Sequence, residues 1–416
     1  MTSPSTTPRA TREVSRVPRQ FFSSIAALTL GGVLAGCSLD VSNPGPIRDE
    51  DLNTPGAMPA LVNGMGGDLS VALGTWVERM PLAADELKHS GNFAVERFYN
   101  IGQLRPDDAN GDWARMQRAR YVAENGLERM KTVLGTAFET STLTPRAYLY
   151  AGFANRLLGE NVCQAVFDGG SAQSDTAHFV RAESLFTRAL TLARAANNTA
   201  LTNAALGGRA TVLAWQGKWA DAILDAALVP VAFRHNAIFS TGTTRENLEV
   251  AVQTISRREL TVFNTQWVAN RDPRVPYDTV KLTGGAIQTG QDGATPFFRQ
   301  RKYTTLGDPV ALVKGTEMLL LRAEERLRAG DVVAAMTFIN QERASFTPAL
   351  PALSATTVTD GYTILMRERG AVLWLEGRRL WDLRRWLVEG RNTFLQNRDK
   401  CLPISTEERG SNPNLR

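Results

Sequence analysis

The sequence predicts a mostly α protein: tetratricopeptide-like helix pairs carrying a loop-rich cap subdomain. Three observations predict it. Segments with apolar residues at three- and four-residue spacing, rich in Ala, Leu, Arg and Glu, follow one another with only short breaks such as Gly169-Gly170 and Asn197-Asn198. At Gly217 and Lys218 one such segment stops and the next starts with Trp219, Ala220, Asp221 and Ala222, as in a tetratricopeptide hairpin, although no strict repeat of about 34 residues runs through the chain. From residue 229 to 309 the texture changes to Pro, Gly, Thr and scattered aromatics, the composition of loops laid over a scaffold.

Residues 1–36 read as an export signal. Arg9, Arg12, Arg16 and Arg19 precede a short apolar run from Phe21 to Leu34, too short to span a bilayer. Leu34-Ala35-Gly36-Cys37 follows and is similar to the bacterial lipobox, in which the cysteine receives a diacylglyceryl group. Two or three acyl chains of the palmitate type on Cys37 exceed what marginal anchoring needs, so the expected mature protein is membrane-tethered. Residues 37–60, with Pro44, Gly45 and Pro46, form the lipidated tether.

Residues 61–228 are the predicted helical region. Asn53-Thr54-Pro55 supplies a helix start, and a helix over Met58 to Met65 follows. Residues 66–112 lose the periodicity and are expected to be irregular. Helices are then predicted over Trp113 to Leu134, Pro145 to Leu158, Ala177 to Ala196, Leu201 to Gln216 and Trp219 to Leu228, with Ala189, Ala193, Ala204, Ala205 and Ala214 at close contacts. Within the cap, 229–309, one helix is expected around Arg245 to Ala269. Residues 310–416 restore helices at Val310 to Ala329 and Val332 to Ser345, followed by a loop over Pro348 to Thr359 and a last long helix.

That last helix, Met366 to Trp386, combines helical periodicity with unusual charge. Leu365, Arg369, Val372, Leu373, Glu376, Leu380, Leu383 and Leu387 fall on one face that is apolar apart from Arg369 and Glu376. Charges on such a face need partners, so a satisfied internal network is expected, with Glu376 reaching Arg378 or Arg379 and Asp382 reaching Arg378 or Arg385. Gly377 inside the run marks a kink or a close helix contact.

The strings Arg367-Glu368-Arg369, Leu375-Glu376-Gly377-Arg378-Arg379 and Trp381-Asp382-Leu383-Arg384-Arg385-Trp386 resemble the C-terminal signature of the SusD/RagB family of outer-membrane lipoproteins. Leu402-Pro403-Ile404-Ser405 and Asn412-Pro413-Asn414-Leu415 are similar to its closing motif. Leu319 to Glu324, Gly330-Asp331 and Ile339 to Arg343 resemble its preceding helix pair, and Asp272 to Tyr277 another family piece. The chain departs from the pattern at Gly370-Ala371, where the family usually carries a Glu-Leu or similar pair. The resemblance marks Arg369, Glu376, Gly377, Arg378 and Asp382 as signature positions. It implies a SusD-like fold and a lipid-anchored protein of the outer membrane, exposed at the cell surface. It further implies a partner, a SusC-type TonB-dependent transporter, for which the protein captures a nutrient, often an oligosaccharide. The helical face would then pack on the transporter and the loop side hold the ligand.

Composition narrows the alternatives. Of the formal charge of +5, three units sit in the first 36 residues, and the remainder gives no reason to invoke nucleic acid. His89, His178 and His235 are far apart in sequence with no metal-ligand spacing, and nucleophile-elbow, phosphate-loop and dinucleotide motifs are absent from the sequence, so neither metal, cofactor nor enzymatic activity is expected. Asp107, Asp108, Asn110 and Asp112 alternate as in a calcium loop, but Gly111 is misplaced and no acidic residue closes it, which favours a capped turn. Asp85 and Glu86, adjacent on one element, cannot flank a glycosidic bond from two sides. Cys163 and Cys401 are the cysteines left after processing, and the residues leave open a disulfide or two separate buried thiols.

Sugars present apolar C–H faces and rings of hydroxyls, so flat aromatics beside polar groups are the candidate contacts. In the first irregular region these are Trp76, Phe93, Phe98, Tyr99 and Asn100; in the cap they are Trp267, Tyr277, Phe297 and Phe298. The alternative reading is a helical-repeat envelope lipoprotein that scaffolds proteins or binds peptide. Burial of the four cap aromatics away from any cleft would favour it.

Overall fold

The computed structural model describes residues 48–415. The export signal, Cys37 and the tether through Ile47 lie outside the described residues. After two 3-10 turns, α1 runs from Met58 to Ala83, so the expectation of irregular chain from residue 66 is corrected for its first eighteen positions. The periodicity faded because α1 is buried on most of its faces and carries glycines where neighbours press against it. A Cβ on Gly66 would stand 2.9 Å from the Tyr150 ring, and one on Gly74 3.1 Å from the Phe239 ring. Pro81, which ordinarily breaks a helix interior, is tolerated because it sits in the last turn. The short strand β1 (Lys88–His89) and helix α2 (Ala94–Ile101) follow.

The stack of paired helices is then close to expectation: α3 (Asn110–Leu134), α4 (Thr144–Asn161), α5 (Thr176–Ala195), α6 (Thr199–Trp215) and α7 (Trp219–Leu228), with the strand pair β2 (Gln164–Ala165) and β3 (Gln173–Ser174) between α4 and α5. Asn198 caps α6 by accepting the Leu201 amide at 3.0 Å. All five alanines expected at close contacts are buried. Glycines make close approaches too: a Cβ on Gly152 of α4 or Gly208 of α6 would lie 2.7 or 2.6 Å from the Phe186 ring of α5, so that ring locks three helices together.

The cap departs further from expectation. The predicted helix over Arg245 to Ala269 is broken into a 3-10 turn, a three-residue α8 (Glu249–Ala251), a π-turn over Val252–Ser256, strand β5 (Leu260–Thr261) and α9 (Gln266–Asn270). Arg258, Asn264 and Arg271 all adopt positive φ there, a backbone that a continuous helix cannot contain. Strand β4 (Arg234–Ala237) precedes this segment, and β6 (Tyr277–Thr279) and β7 (Phe298–Gln300) follow it as an antiparallel pair. Val310 to Lys314, expected as helix, forms strand β8, antiparallel to β4. Its run Val310-Ala311-Leu312-Val313 is buried on both faces, a setting in which β-branched residues prefer extended backbone. Helices α10 (Gly315–Arg328), α11 (Val332–Ala344), α12 (Val358–Val372), α13 (Arg379–Val388) and α14 (Thr406–Ser411) complete the chain.

The run Met366 to Trp386 is therefore two helices, with a turn over residues 373–378 in which Leu375 and Gly377 have φ of 54° and 70°. The network expected on its apolar face exists, but with distant partners. Arg369, fully buried, donates to Asp382 at 2.7 Å and pairs with Glu317 at 3.3 Å. Arg378 pairs with Glu160 of α4 at 2.9 Å and with Glu317 at 3.0 Å. Arg385 holds Asp382 at 3.0 Å, as its spacing suggested, and Glu324 at 2.7 Å. The expectation that Glu376 reaches Arg378 or Arg379 is corrected: leaving the helix turns its carboxylate to Lys302 and Lys314, both at 2.7 Å. Arg379 instead grips Asp85 through two 2.8 Å bonds. Arg274, from the family-like piece of the cap, gathers Asp272, Glu342 and Glu368 at 2.7 to 2.8 Å. The departure at Gly370 has a physical reason, since a Cβ there would stand 2.6 Å from the Trp267 ring.

Cys163 and Cys401 are joined in a disulfide across a sequence separation of 238. Beside it the Cys163 amide donates to the Leu402 carbonyl at 2.9 Å and the Leu402 amide to the Asn161 carbonyl at 2.7 Å.

Two predictions follow from these ties. Burial alone would raise the Glu376 carboxyl, but the two lysine ammonium groups and their hydrogen bonds outweigh it and pull it down to about 2. Its contribution is thus present above its ordinary 4.5 and lost as pH falls towards 2. Glu376→Gln leaves two buried ammonium groups uncompensated and should destabilise by about 3–5 kcal/mol in urea unfolding at pH 7, with the deficit shrinking in acid. A double Cys163→Ala, Cys401→Ala variant should lose roughly 2–5 kcal/mol in the same assay.

Candidate ligand-binding cleft

A cleft of about 690 Å³ opens between α1, the start of α2, α3 and residues 244–253. Asp68, Val71, Thr75, Glu78 and Arg79 recur on α1 at the spacing that puts them on one helix face, which forms the floor. Arg115 and Arg118 of α3 and Arg245 of the cap form an exposed lip. Two of these arginines are tied: Arg118 donates to Asp68 at 2.9 Å and Arg245 also bonds Asp68. Arg115 bonds only the Thr75 hydroxyl, at 3.1 Å.

The inner wall differs from the lip. Glu78, 6% exposed, makes no hydrogen bond or ion pair with any described residue, and its carboxyl is pushed up to about 8 by burial and by Glu96, Glu249 and Asp112, against the pull of Arg79. Glu96 is buried and held only at 3.8 Å by Arg79, with Oε2 unpartnered among the described residues. The buried Oε1 of Gln253 likewise lacks a partner there. Unmet polar groups of this kind are costly in a closed interior and are expected where a ligand completes them. Phe93, 38% exposed, stands at the mouth with the Arg257 guanidinium 4.7 Å from its ring centre.

Of the nine residues singled out from the sequence, Phe93 alone lines this cleft. Trp76, on α1, is fully buried. Tyr99 is also fully buried, and its hydroxyl donates to Asp112 at 2.7 Å, which in turn holds Arg79 at 3.1 Å; Tyr99 therefore supports the cleft from behind. Phe98 lies under the Arg105 guanidinium, 3.5 Å from its ring centre, and Asn100 accepts the His89 amide at 3.2 Å. Trp267 and Phe297 are core residues, the Trp267 indole donating to the Asp85 carbonyl at 3.0 Å. Tyr277 and Phe298 are half-buried, stacked with ring centres 5.8 Å apart, and line neither this cleft nor the next. Sequence reasoning missed Glu78 and Gln253 because an acidic or amide side chain on a helix looks solvated until the opposite wall is known.

A second cleft, about 550 Å³, lies between Asp85, Lys88, the cap residues Asn264 to Asn270, Arg367 and Phe394. Its charged centre is already satisfied, since Asp85 takes both Arg379 bonds and a third from Gln266. Glu86, beside it, is buried and accepts the Leu375 amide at 2.8 Å, so the two adjacent carboxylates serve the fold. In the calcium-like stretch, Asp107 takes the Thr406 hydroxyl, Asp108 takes Arg105 and Asn110 takes the Glu407 amide, which separates the oxygens among different partners. Among the described residues no group of three or more His, Cys, Asp or Glu is placed to hold a metal ion, and no helix is long and apolar enough to cross a membrane.

Residues 298–415 match the SusD family model. No curated protein matches the sequence. Solved structures do: a SusD superfamily protein from Bacteroides vulgatus is 14% identical with a TM-score of 0.65, covering 87% of this chain and 98% of its own. A SusD-like carbohydrate binding protein from the same organism is 15% identical with a TM-score of 0.62, covering 79% and 83%. Another so described, from Bacteroides fragilis, is 13% identical with a TM-score of 0.61, covering 88% and 99%. The SusD/RagB resemblance read from the C-terminal motifs and the mostly α, SusD-like fold are thereby borne out.

The assignment of Tyr99 to the support of the cleft is testable. Tyr99→Phe removes a charge-assisted donor from buried Asp112 and should destabilise by about 1–3 kcal/mol in urea unfolding, although Tyr99 does not line the cleft.

Proposed function

We propose that this chain, which carries the SusD family pattern over residues 298–415 on a SusD-like fold, is a non-catalytic surface protein that captures an oligosaccharide nutrient. The observation that carries the reading is the 690 Å³ cleft in which Glu96 Oε2 and Gln253 Oε1 lack hydrogen-bond partners among the described residues and the buried Glu78 carboxyl stands unpaired beside the exposed Phe93 ring. Hydroxyl groups satisfy such acceptors and an aromatic face packs on sugar C–H bonds, so binding needs no chemistry. The carbohydrate-binding description of two structural neighbours supports the same reading.

Lipidation at Cys37 anchors the protein to the outer membrane in this proposal, and a SusC-type TonB-dependent transporter receives the cargo. The export-signal pattern and lipobox support the first point, the family resemblance the second. The cap aromatics Trp267, Tyr277, Phe297 and Phe298 line neither cleft described above, but only Trp267 and Phe297 are buried, so the outcome set as favouring a protein or peptide scaffold is met in part. The open polar cleft, which a pure scaffold does not need, keeps ligand capture ahead.

A glycan array should show binding to at least one oligosaccharide class without release of reducing ends, and Phe93→Ala should weaken it about tenfold at unchanged melting temperature. An empty array, or hydrolysis of the bound glycan, would overturn the proposal. Detergent-phase partitioning that disappears with Cys37→Ser, and co-purification of a β-barrel transporter, test the anchor and the partner separately.

A further inference from the structure

We infer that the ligand of this cleft carries a primary ammonium on a sugar ring, placed against Glu78, Glu96 and Gln253. The inference rests on the sugar-capture reading above and adds the chemical class of sugar. The inner wall offers more unmet acceptors than donors, the buried Nε of Arg79 being the unpartnered donor among its charged side chains. Glu78 is unpaired, Glu96 has a free Oε2, and Gln253 has a free Oε1, all more than nine-tenths buried. Neutral hydroxyls could meet these acceptors one at a time, but they would leave the excess of carboxyl groups over cations in place, with Glu78 held in its neutral form.

That imbalance separates the two kinds of sugar. The groups facing Glu78 are Arg79 on its own helix, Glu96 on α2, Asp112 on α3 and Glu249 from the cap. Arg79 is already shared between Asp112 at 3.1 Å and Glu96 at 3.8 Å. Arg118 and Arg245 are both spent on Asp68. The inner wall thus holds more carboxyl groups than cations, and an ammonium supplies the missing charge together with three donors in one compact group. It also draws the Glu78 carboxyl back to its charged form, which burial beside other acids disfavours. The exposed arginine lip, with Arg115 unpaired by any described acid, faces outwards, so the ligand enters amine first with its hydroxyls towards the lip.

Calorimetry with the full-length protein can decide between the classes, using β-1,4-linked glucosamine tetramer, its fully N-acetylated counterpart and tetraalanine. The glucosamine tetramer should bind at least about tenfold tighter than either of the others, and Glu78→Gln should abolish that preference. The variant removes a buried unpaired carboxyl, so its melting temperature should hold or rise, which excludes misfolding as the cause. Arg115→Ala, on the lip, should weaken both tetramers alike. Equal or tighter binding of the N-acetylated tetramer would overturn the ammonium inference and leave sugar capture standing. Tighter binding of tetraalanine would overturn the sugar ring, and failure of every glycan on the array would defeat the capture reading itself.

Discussion

The burial of Arg369 between Glu317 and Asp382 is the constraint on which the rest depends. A fully buried guanidinium is tolerated only when its charge and donors are met, and meeting them here recruits α10 and α13. Their own carboxylates are then shared with Arg378 and Arg385, which reach Glu160 on α4 and Glu324 on α10. A single chain of alternating charges thereby joins the helix stack to the last third of the molecule. Side branches through Asp85–Arg379 and Glu376 with its two lysines attach the loop after α1 and the cap. Such a network fixes register more than it adds stability, because each member is costly without its neighbours.

This explains which parts of the fold were legible. The helices from α3 to α7 were readable to within three residues, α3, α5 and α7 because each buries one stripe and exposes the other, α4 and α6 from their Ala- and Leu-rich composition between clear breaks, and α11 was equally plain. Two other buried elements were misread. Helix α1 lost its periodicity to contact glycines, and β8 hid in the apolar start of α10. The turn at residues 373–378 was marked by Gly377 as a kink or close contact, but the partners that hold it were not legible. Its cause lies in Lys302 and Lys314, seventy-four and sixty-two positions upstream, which no local pattern reports.

The candidate site was less legible than the scaffold. Aromatic residues in irregular sequence served as a guide, yet most of them proved to be core or support, since a large ring is more useful to an interior than to a surface. What distinguishes the cleft is an excess of unmet acceptors over unmet donors on a wall built from α1, α2 and residues 244–253. Absent partners leave no mark on the residue that lacks them. Phe93 alone could be picked out in advance, and the signal was an aromatic among Gly, Asn and Ala with no apolar neighbours at helical spacing.

The backbone bridge between Val162 and Leu402, with Glu160 two residues before it facing Arg378, places the end of α4 against chain made more than two hundred positions later. Because a ribosome delivers residues in order, the earlier half emerges with a carboxylate and a strand edge whose complements do not yet exist. It can coil into helices but cannot lock. The end of α4 thus finds its partners only in residues 378–402.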